Sequence, residues 1–255
     1  MDDVVLKVTE KPNLGNPTLV EGLPGIGLVG KLIGDHLLDE LRPKKFAQLY
    51  SPYLPPQVNI QEDGTVKMVT MDFHSYSQDG KEIILLTGDF QGITPDSQYQ
   101  MAEKTVELAS ELNVKRLYTL GGLATGNITQ NPRVFGAATT KELVQEHEKY
   151  GILFKEDGAI FGASGLLLGL GAQKGIEGVC LMGETHGQLI DAKSAEAVLK
   201  ILTDILGIKV DMTAIETKAK ETEKQMTQIS KMITSYKKEQ ERREDYGGDQ
   251  TSYIR

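Results

Sequence analysis

The chain contains no tryptophan and a single cysteine, Cys180. One thiol rules out an internal disulfide framework. Its setting in the apolar run Gly178-Val179-Cys180-Leu181-Met182 reads as a buried, reduced core residue of a cytosolic protein. Only four histidines are present, His36, His74, His147 and His186, and they stand singly. No H-x-x-x-H or paired Cys/His spacing offers a metal site, so no metal is expected. No apolar run reaches the roughly 18 to 20 residues that span a bilayer, and the acidic start Met1-Asp2-Asp3 is unlike the basic head of a signal peptide. Positive charge is also short: 28 Lys plus Arg face 36 Asp plus Glu, for a formal net charge of -8. Duplex binding rests on clustered cations meeting phosphates, and no such cluster occurs. A cytoplasmic protein is expected, with neither nucleic acid nor membrane among its partners.

What is present is an ordinary globular composition, 39% hydrophobic and 25% charged over 255 residues, enough for one large domain or two small ones. Short β-rich runs alternate with segments of helical period. Thr18 to Glu21 reads as a strand, and Leu32, Ile33, Leu37, Leu38 and Leu41 mark one face of a helix stopped by Pro43. A strand follows at Lys45 to Tyr50. An antiparallel hairpin is expected between Val58 and Phe73, turning at Glu62-Asp63-Gly64. The unbroken run Ile83-Ile84-Leu85-Leu86 suits a strand covered on both faces. Pro95 opens a helix through Leu112, and Arg116 to Leu120 returns as a strand. Further strands are expected at Val134 to Thr139, Ala159 to Gly162 and Val179 to Met182. Further helices are expected at Lys141 to Tyr150, Leu166 to Gln173 and Ser194 to Leu206. Strands separated by helices predict a mainly parallel sheet with helices on both faces, an α/β domain over residues 1–211.

From residue 212 the chain becomes a different material. Residues 212–255 carry nine lysines and arginines against eight aspartates and glutamates, which leaves the whole acidic excess in the body. Ile215, Ala219, Thr222, Met226, Ile229, Ile233 and Tyr236 recur at alternating spacings of four and three, the two-stripe rhythm of a helix seeking a partner. Ala219 and Thr222 are weak seam residues, so residues 212–246 are expected to pack on the body or on another subunit. Gly247-Gly248 ends that helix and leaves residues 247–255 as a flexible tail.

Several motifs invite a chemical reading. Gly25-Ile26-Gly27-Leu28-Val29-Gly30 fits G-x-G-x-x-G between a strand and a helix, where phosphates can rest on helix amides. That fingerprint also asks for a carboxylate about 20 positions on, and the stretch from Phe46 to Tyr53 has none. Gly25, Gly27 and Gly30 therefore read first as a tight turn with close helix–sheet approach. A nucleotide or phosphorylated-metabolite site is the alternative, with Gly121 and Gly122 lining a crevice at the sheet edge. Gly162-Ala163-Ser164-Gly165 suggests a nucleophile elbow, but Leu166 stands where the second glycine belongs. Ser164 is expected as a helix N-cap. Glu184 and His186 form a conceivable acid–base pair in a loop, against the plainer reading of a solvated histidine. Every candidate catalytic set lacks a member, so no catalytic residue and no cofactor are expected.

Five segments in order carry a resemblance: Leu23-Pro24-Gly25-Ile26-Gly27-Leu28-Val29-Gly30-Lys31, Thr87-Gly88-Asp89-Phe90-Gln91, Tyr118-Thr119-Leu120-Gly121-Gly122, Gly162 through Gly169, and Leu181-Met182-Gly183-Glu184. Together they resemble the archaeal branch of the proteasome assembly chaperone 2 family over roughly residues 15–235. The resemblance implies a three-layer α/β/α sandwich of the phosphorylase/hydrolase-like kind without a recognised active site. It implies a protein that escorts 20S proteasome α subunits during ring assembly, or docks on the α-ring and opens its gate without ATP. It also implies self-association as a homo-oligomer, to which Ile215, Met226, Ile229, Ile233 and Tyr236 would contribute. Activators of this type end in hydrophobic-Tyr-any, whereas this chain ends Tyr253-Ile254-Arg255, with tyrosine third from the end. The aromatic anchor, the apolar neighbour and the free carboxylate are there in shifted order, and these three residues are the expected partner-binding peptide.

Overall fold

A computed structural model describes residues 4–127, 129–154 and 157–221. The chain opens with two strands, β1 (Val5–Val8) and β2 (Thr18–Gly22), and reaches helix α1 (Val29–Leu41) through a 3-10 turn at Ile26–Leu28. Strands β3 (Lys44–Tyr50), β4 (Val58–Ile60), β5 (Val66–Met68), β6 (Met71–Gln78) and β7 (Lys81–Gly88) follow. Helix α2 (Pro95–Glu111) starts with a capping box, in which Thr94 Oγ1 accepts from the Ser97 amide and Ser97 Oγ accepts from the Thr94 amide. Then come β8 (Arg116–Ala124), β9 (Val134–Ala138), α3 (Lys141–Glu148), β10 (Leu153–Phe154), α4 (Ala163–Gln173), β11 (Glu177–Thr185) and α5 (Ala192–Leu206). Residues 213–221 are helical.

Nine of these strands form one sheet in the order β1-β3-β6-β7-β2-β8-β11-β9-β10. The central four, β7-β2-β8-β11, are mutually parallel, as continuous apolar runs between helices dictate. Alternate residues serve opposite faces. Leu19, Ile84, Leu86 and Leu117 pack under α2 and α4 with Met101, Val106 and Leu167. Val20, Leu85, Tyr118 and Leu181 pack under α1 and α5 with Ile33, Leu37, Val198 and Leu202. The result is a three-layer α/β/α arrangement with a core on each side of the sheet.

Antiparallel pairing reaches further than the one hairpin the sequence suggested. On one flank β6, β3 and β1 run antiparallel in succession, and on the other β9 opposes β11. β1 itself went unforeseen, because four residues, three of them exposed, carry little signal. The expected hairpin over Val58 to Phe73 is divided. β4 and β5 form a separate two-stranded sheet, Val58 opposite Met68 and Ile60 opposite Val66, while from Met71 the chain joins the main sheet between β3 and β7. No strand forms at Ala159 to Gly162; this segment is an irregular approach to α4. That helix starts earlier than expected, at Ala163, with Gly162 at φ 80 as its cap, so Ser164 lies inside the helix and does not cap it.

Beyond α5, Ile215 is only 2% exposed and joins the α1/α5 core cluster, with Met212 packed against it. Glu40 accepts the Asp211 amide beside it. The other packing-helix residues of the sequence reading, Met226, Ile229, Ile233 and Tyr236, lie outside the described residues, as do Tyr253, Ile254 and Arg255.

Candidate functional site

The carboxyl ends of the four parallel strands gather all five sequence segments into one place. β2 and β8 are neighbours from which the chain departs in opposite directions, the position where open α/β sheets hold ligands. Gly25, Gly27 and Gly30 lie between β2 and α1, and Gly121 and Gly122 lie on β8 alongside. The structure brings the two glycine sets together, but the gap between them is filled by the chain's own backbone. A Cβ on Gly30 would sit 2.5 Å from the Leu120 carbonyl oxygen and 2.8 Å from that of Leu23. One on Gly122 would sit 2.4 Å from the Ile26 carbonyl oxygen. Gly27 has φ +65, the left-handed turn that lets the 3-10 segment fold into the crevice. Gly30 and Gly122 thus bring backbone against backbone where a phosphate would otherwise rest, whereas Gly25 and Gly121 have open space beside them.

Beneath this seal lies the residue that sequence reading missed. Glu21, the penultimate residue of β2, is 1% exposed. Its Oε1 accepts the Leu23 amide at 2.9 Å; its Oε2 accepts the Ser164 hydroxyl at 2.9 Å and the Leu120 amide at 3.3 Å. Burial outweighs these donors and raises the carboxyl to about 7. The available signal was a lone acid inside the run Leu19-Val20-Glu21-Gly22-Leu23, where a strand covered on both faces has no solvent to offer a charge. Gln91 ties the same region from the other side. Its Nε2 donates to the Pro24 carbonyl at 2.7 Å, and its Oε1 accepts the Ala163 amide, an otherwise unpaired donor at the start of α4, at 2.9 Å. Glu21 and Gln91 therefore fasten the turn after β2 to the amino end of α4.

Glu184 and His186 do not form the acid–base pair considered from sequence. Gly183 to Thr185 extend β11 and are no loop. Glu184 is engaged by Arg133, whose Nε and Nη2 donate to its two oxygens at 2.9 and 2.8 Å, and this pairing holds its carboxyl below the usual range. The Arg133 guanidinium lies over the Phe135 ring at 5.0 Å. His147 is wholly buried in α3. Its Nδ1 faces the Leu143 carbonyl at 2.7 Å and must carry the proton, leaving Nε2 to accept from the Tyr118 hydroxyl at 2.9 Å. Burial lowers its pKa and keeps the ring neutral. The Cys180 thiol is fully enclosed, and burial pushes it up to about 12, far from a reactive thiolate. Among the described residues no group of three His, Cys, Asp or Glu side chains is placed to hold a metal ion.

The outer surface of this edge is apolar. Ile26 after β2, Ile93 after β7, Phe161 before α4 and Ile190 after β11 are all exposed, Phe161 to 86%. The Asp191 amide donates to the Gly27 carbonyl at 2.9 Å, holding the Ile190 loop beside the Ile26 turn. Apolar side chains over a closed polar network suit contact with another protein surface better than capture of a small molecule.

Fold and site together define an α/β/α protein whose ligand crevice is closed by its own glycine-rich backbone and whose sheet edge presents an apolar rim. Residues 19–230 match the PAC2 family, and the chain belongs to it. An uncharacterized protein of Methanocaldococcus jannaschii is 39% identical over 229 residues, 89% of this chain and 88% of its own. The crystal structure of PbaB from Pyrococcus furiosus, an archaeal proteasome activator, is 37% identical with a TM-score of 0.84, over 90% of this chain and all of that one. PbaA of the same organism, an archaeal homolog of proteasome-assembly chaperone, is 25% identical with a TM-score of 0.75, over 95% of this chain and 99% of its own.

Proposed function

We propose that this chain is a non-enzymatic, proteasome-interacting protein of the cytoplasm, acting as a 20S assembly chaperone, as an ATP-independent activator, or as both. The observation that carries this reading is the similarity to PbaB along nearly the whole of both chains. The closed crevice supports it, because a nucleotide or phosphorylated metabolite would have to displace backbone at Gly30 and Gly122. The exposed rim of Ile26, Ile93, Phe161 and Ile190 supports it as a surface suited to protein contact. Among the described residues no helix is long and apolar enough to cross a membrane.

In this reading residues 1–211 form the body and residues 212–246 a packing helix that joins copies of the chain through Met226, Ile229, Ile233 and Tyr236. Residues 247–255 form a docking tail whose Tyr253, Ile254 and Arg255 engage the α-ring. Removing Tyr253 to Arg255 is expected to weaken binding to 20S particles at least tenfold in a surface-immobilised titration. Undiminished binding would take the tail out of the mechanism. A thermal-shift panel of nucleotides tests the alternative: a ligand at 100 times its Kd adds about 2.7 kcal/mol of stability, and the present reading predicts no shift.

A further inference from the structure

One sheet edge is neither buried nor closed. β1 ends the strand order, so among the described residues no strand pairs with its outer side. Between β1 and α2 runs a groove of about 570 Å³. Val4 and Leu6 of the β1 segment and Leu108 of α2 contribute its apolar lining. Glu103, Glu107 and Glu111 stand along the α2 side at successive helical turns, with Lys104 tied to Glu107 at 2.8 Å. Gln100, one turn before Glu103 and two before Glu107, adds a second kind of signal: its buried Oε1 has no hydrogen-bond partner. A buried acceptor without a donor is costly and awaits an N–H.

The spacing identifies what fits. Residues four apart on a helix repeat about every 6 Å along its axis. Alternate side chains of an extended strand repeat about every 6.6 Å. A row of glutamates at this pitch matches a strand with a cation at every second position, and an open sheet edge pairs with such a strand through its backbone.

We propose that the groove between β1 and α2 docks an extended segment of a partner protein that carries lysine or arginine at alternate positions. Its cations face Glu103, Glu107 and Glu111, its backbone extends the sheet from β1, and one of its amides bonds Gln100 Oε1 after that side chain rotates into the groove. This site stands apart from the tail and the carboxyl-edge rim, so it can fail while the proteasome reading holds.

The test titrates the full chain with a fluorescein-labelled, N-acetylated (Val-Lys)₄ amide and follows anisotropy. Saturable one-to-one binding is expected. The triple variant Glu103→Gln, Glu107→Gln, Glu111→Gln should weaken it about tenfold, the combined worth of three exposed ion pairs. A control triple with equal charge loss elsewhere, Glu62→Gln, Asp79→Asn, Glu148→Gln, should leave Kd within about twofold. A peptide N-methylated at alternate amides should also lose about tenfold, because it cannot pair with a strand edge. Absence of binding, equal weakening by both triples, or indifference to N-methylation would overturn the proposal. So would conversion of the chain to a smaller species by the first triple, since the groove would then hold a second copy.

Discussion

The carboxyl edge of the sheet and the β4–β5 hairpin are both built from short strands and glycine turns, yet they bury opposite things. At the carboxyl edge a buried carboxylate accepts from a half-buried serine hydroxyl, and a half-buried glutamine amide bonds the backbone on either side, with Gly30 and Gly122 pressed against carbonyl oxygens. In the hairpin Val58, Ile60, Val66 and Met68 share one face and all are exposed, Ile60 to 79%. The opposite face carries Asn59 and Lys67, which hold the hairpin to the body through Asp89 at 3.0 Å and Asp72 at 3.1 Å. Alternation alone would have placed the apolar face inward. The difference follows from layering: the central strands have a helix on each side, whereas a two-stranded sheet has a single neighbour to pack on, and here polar tethers decide which face that neighbour sees.

This contrast can be broken most severely at a glycine. Gly122→Ala puts a methyl 2.4 Å from the Ile26 oxygen and 2.9 Å from Thr185 Cγ2, both in fixed structure. A loss of about 3 kcal/mol in urea unfolding is expected, since overpacking forces backbone shifts. A loss below about 0.5 kcal/mol would mean the crevice is not closed as described.

A similar magnitude should appear as pH dependence at Glu21. Its folded value of about 7 exceeds the ordinary value near 4.5, so between the two the native state keeps a proton that the unfolded chain has released. The stabilisation is full below about pH 4.5 and disappears as pH rises through about 7, a fall of about 3 kcal/mol. Glu21→Gln removes this titration. The difference in unfolding free energy between wild type and variant, measured across that window, isolates it from His147, whose lowered pKa acts in the opposite sense. A difference that does not change with pH would contradict the burial argument.

The smallest effect belongs to the hairpin. Ile60→Thr or Val66→Thr should change stability by under about 0.5 kcal/mol, because these side chains leave little water behind on folding. A loss above about 1.5 kcal/mol would show that the face is covered in solution.

The parts legible from sequence were those written in periodicity. The Ile83 to Leu86 run announced a strand covered on both sides, and the Leu32 to Leu41 stripe announced α1. Gly30 was legible as a close-approach glycine, and Cys180 as a core thiol. The parallel direction of the central strands was legible from the helices between them, but direction within the flanks was not, because a period of two is identical in parallel and antiparallel strands; hence β9, joined to β8 without a helix, was assigned no orientation. The division of the hairpin at Met71 depends on which sheet offers a partner, a tertiary choice. Glu21 and Ser164 are 143 positions apart, and no local pattern joins a strand-end acid to a serine one residue inside a distant helix. The acid could be noticed as an anomaly, but its partner could not.

The most direct measurement mixes the full chain with archaeal 20S proteasome in the absence of ATP and follows both co-sedimentation and hydrolysis of a fluorogenic peptide, alongside formation of α-rings from isolated α subunits. The account predicts that the chain sediments with the particle or with α subunits, and either raises peptide hydrolysis or speeds ring formation. No association, with hydrolysis and ring formation both unchanged, would contradict it.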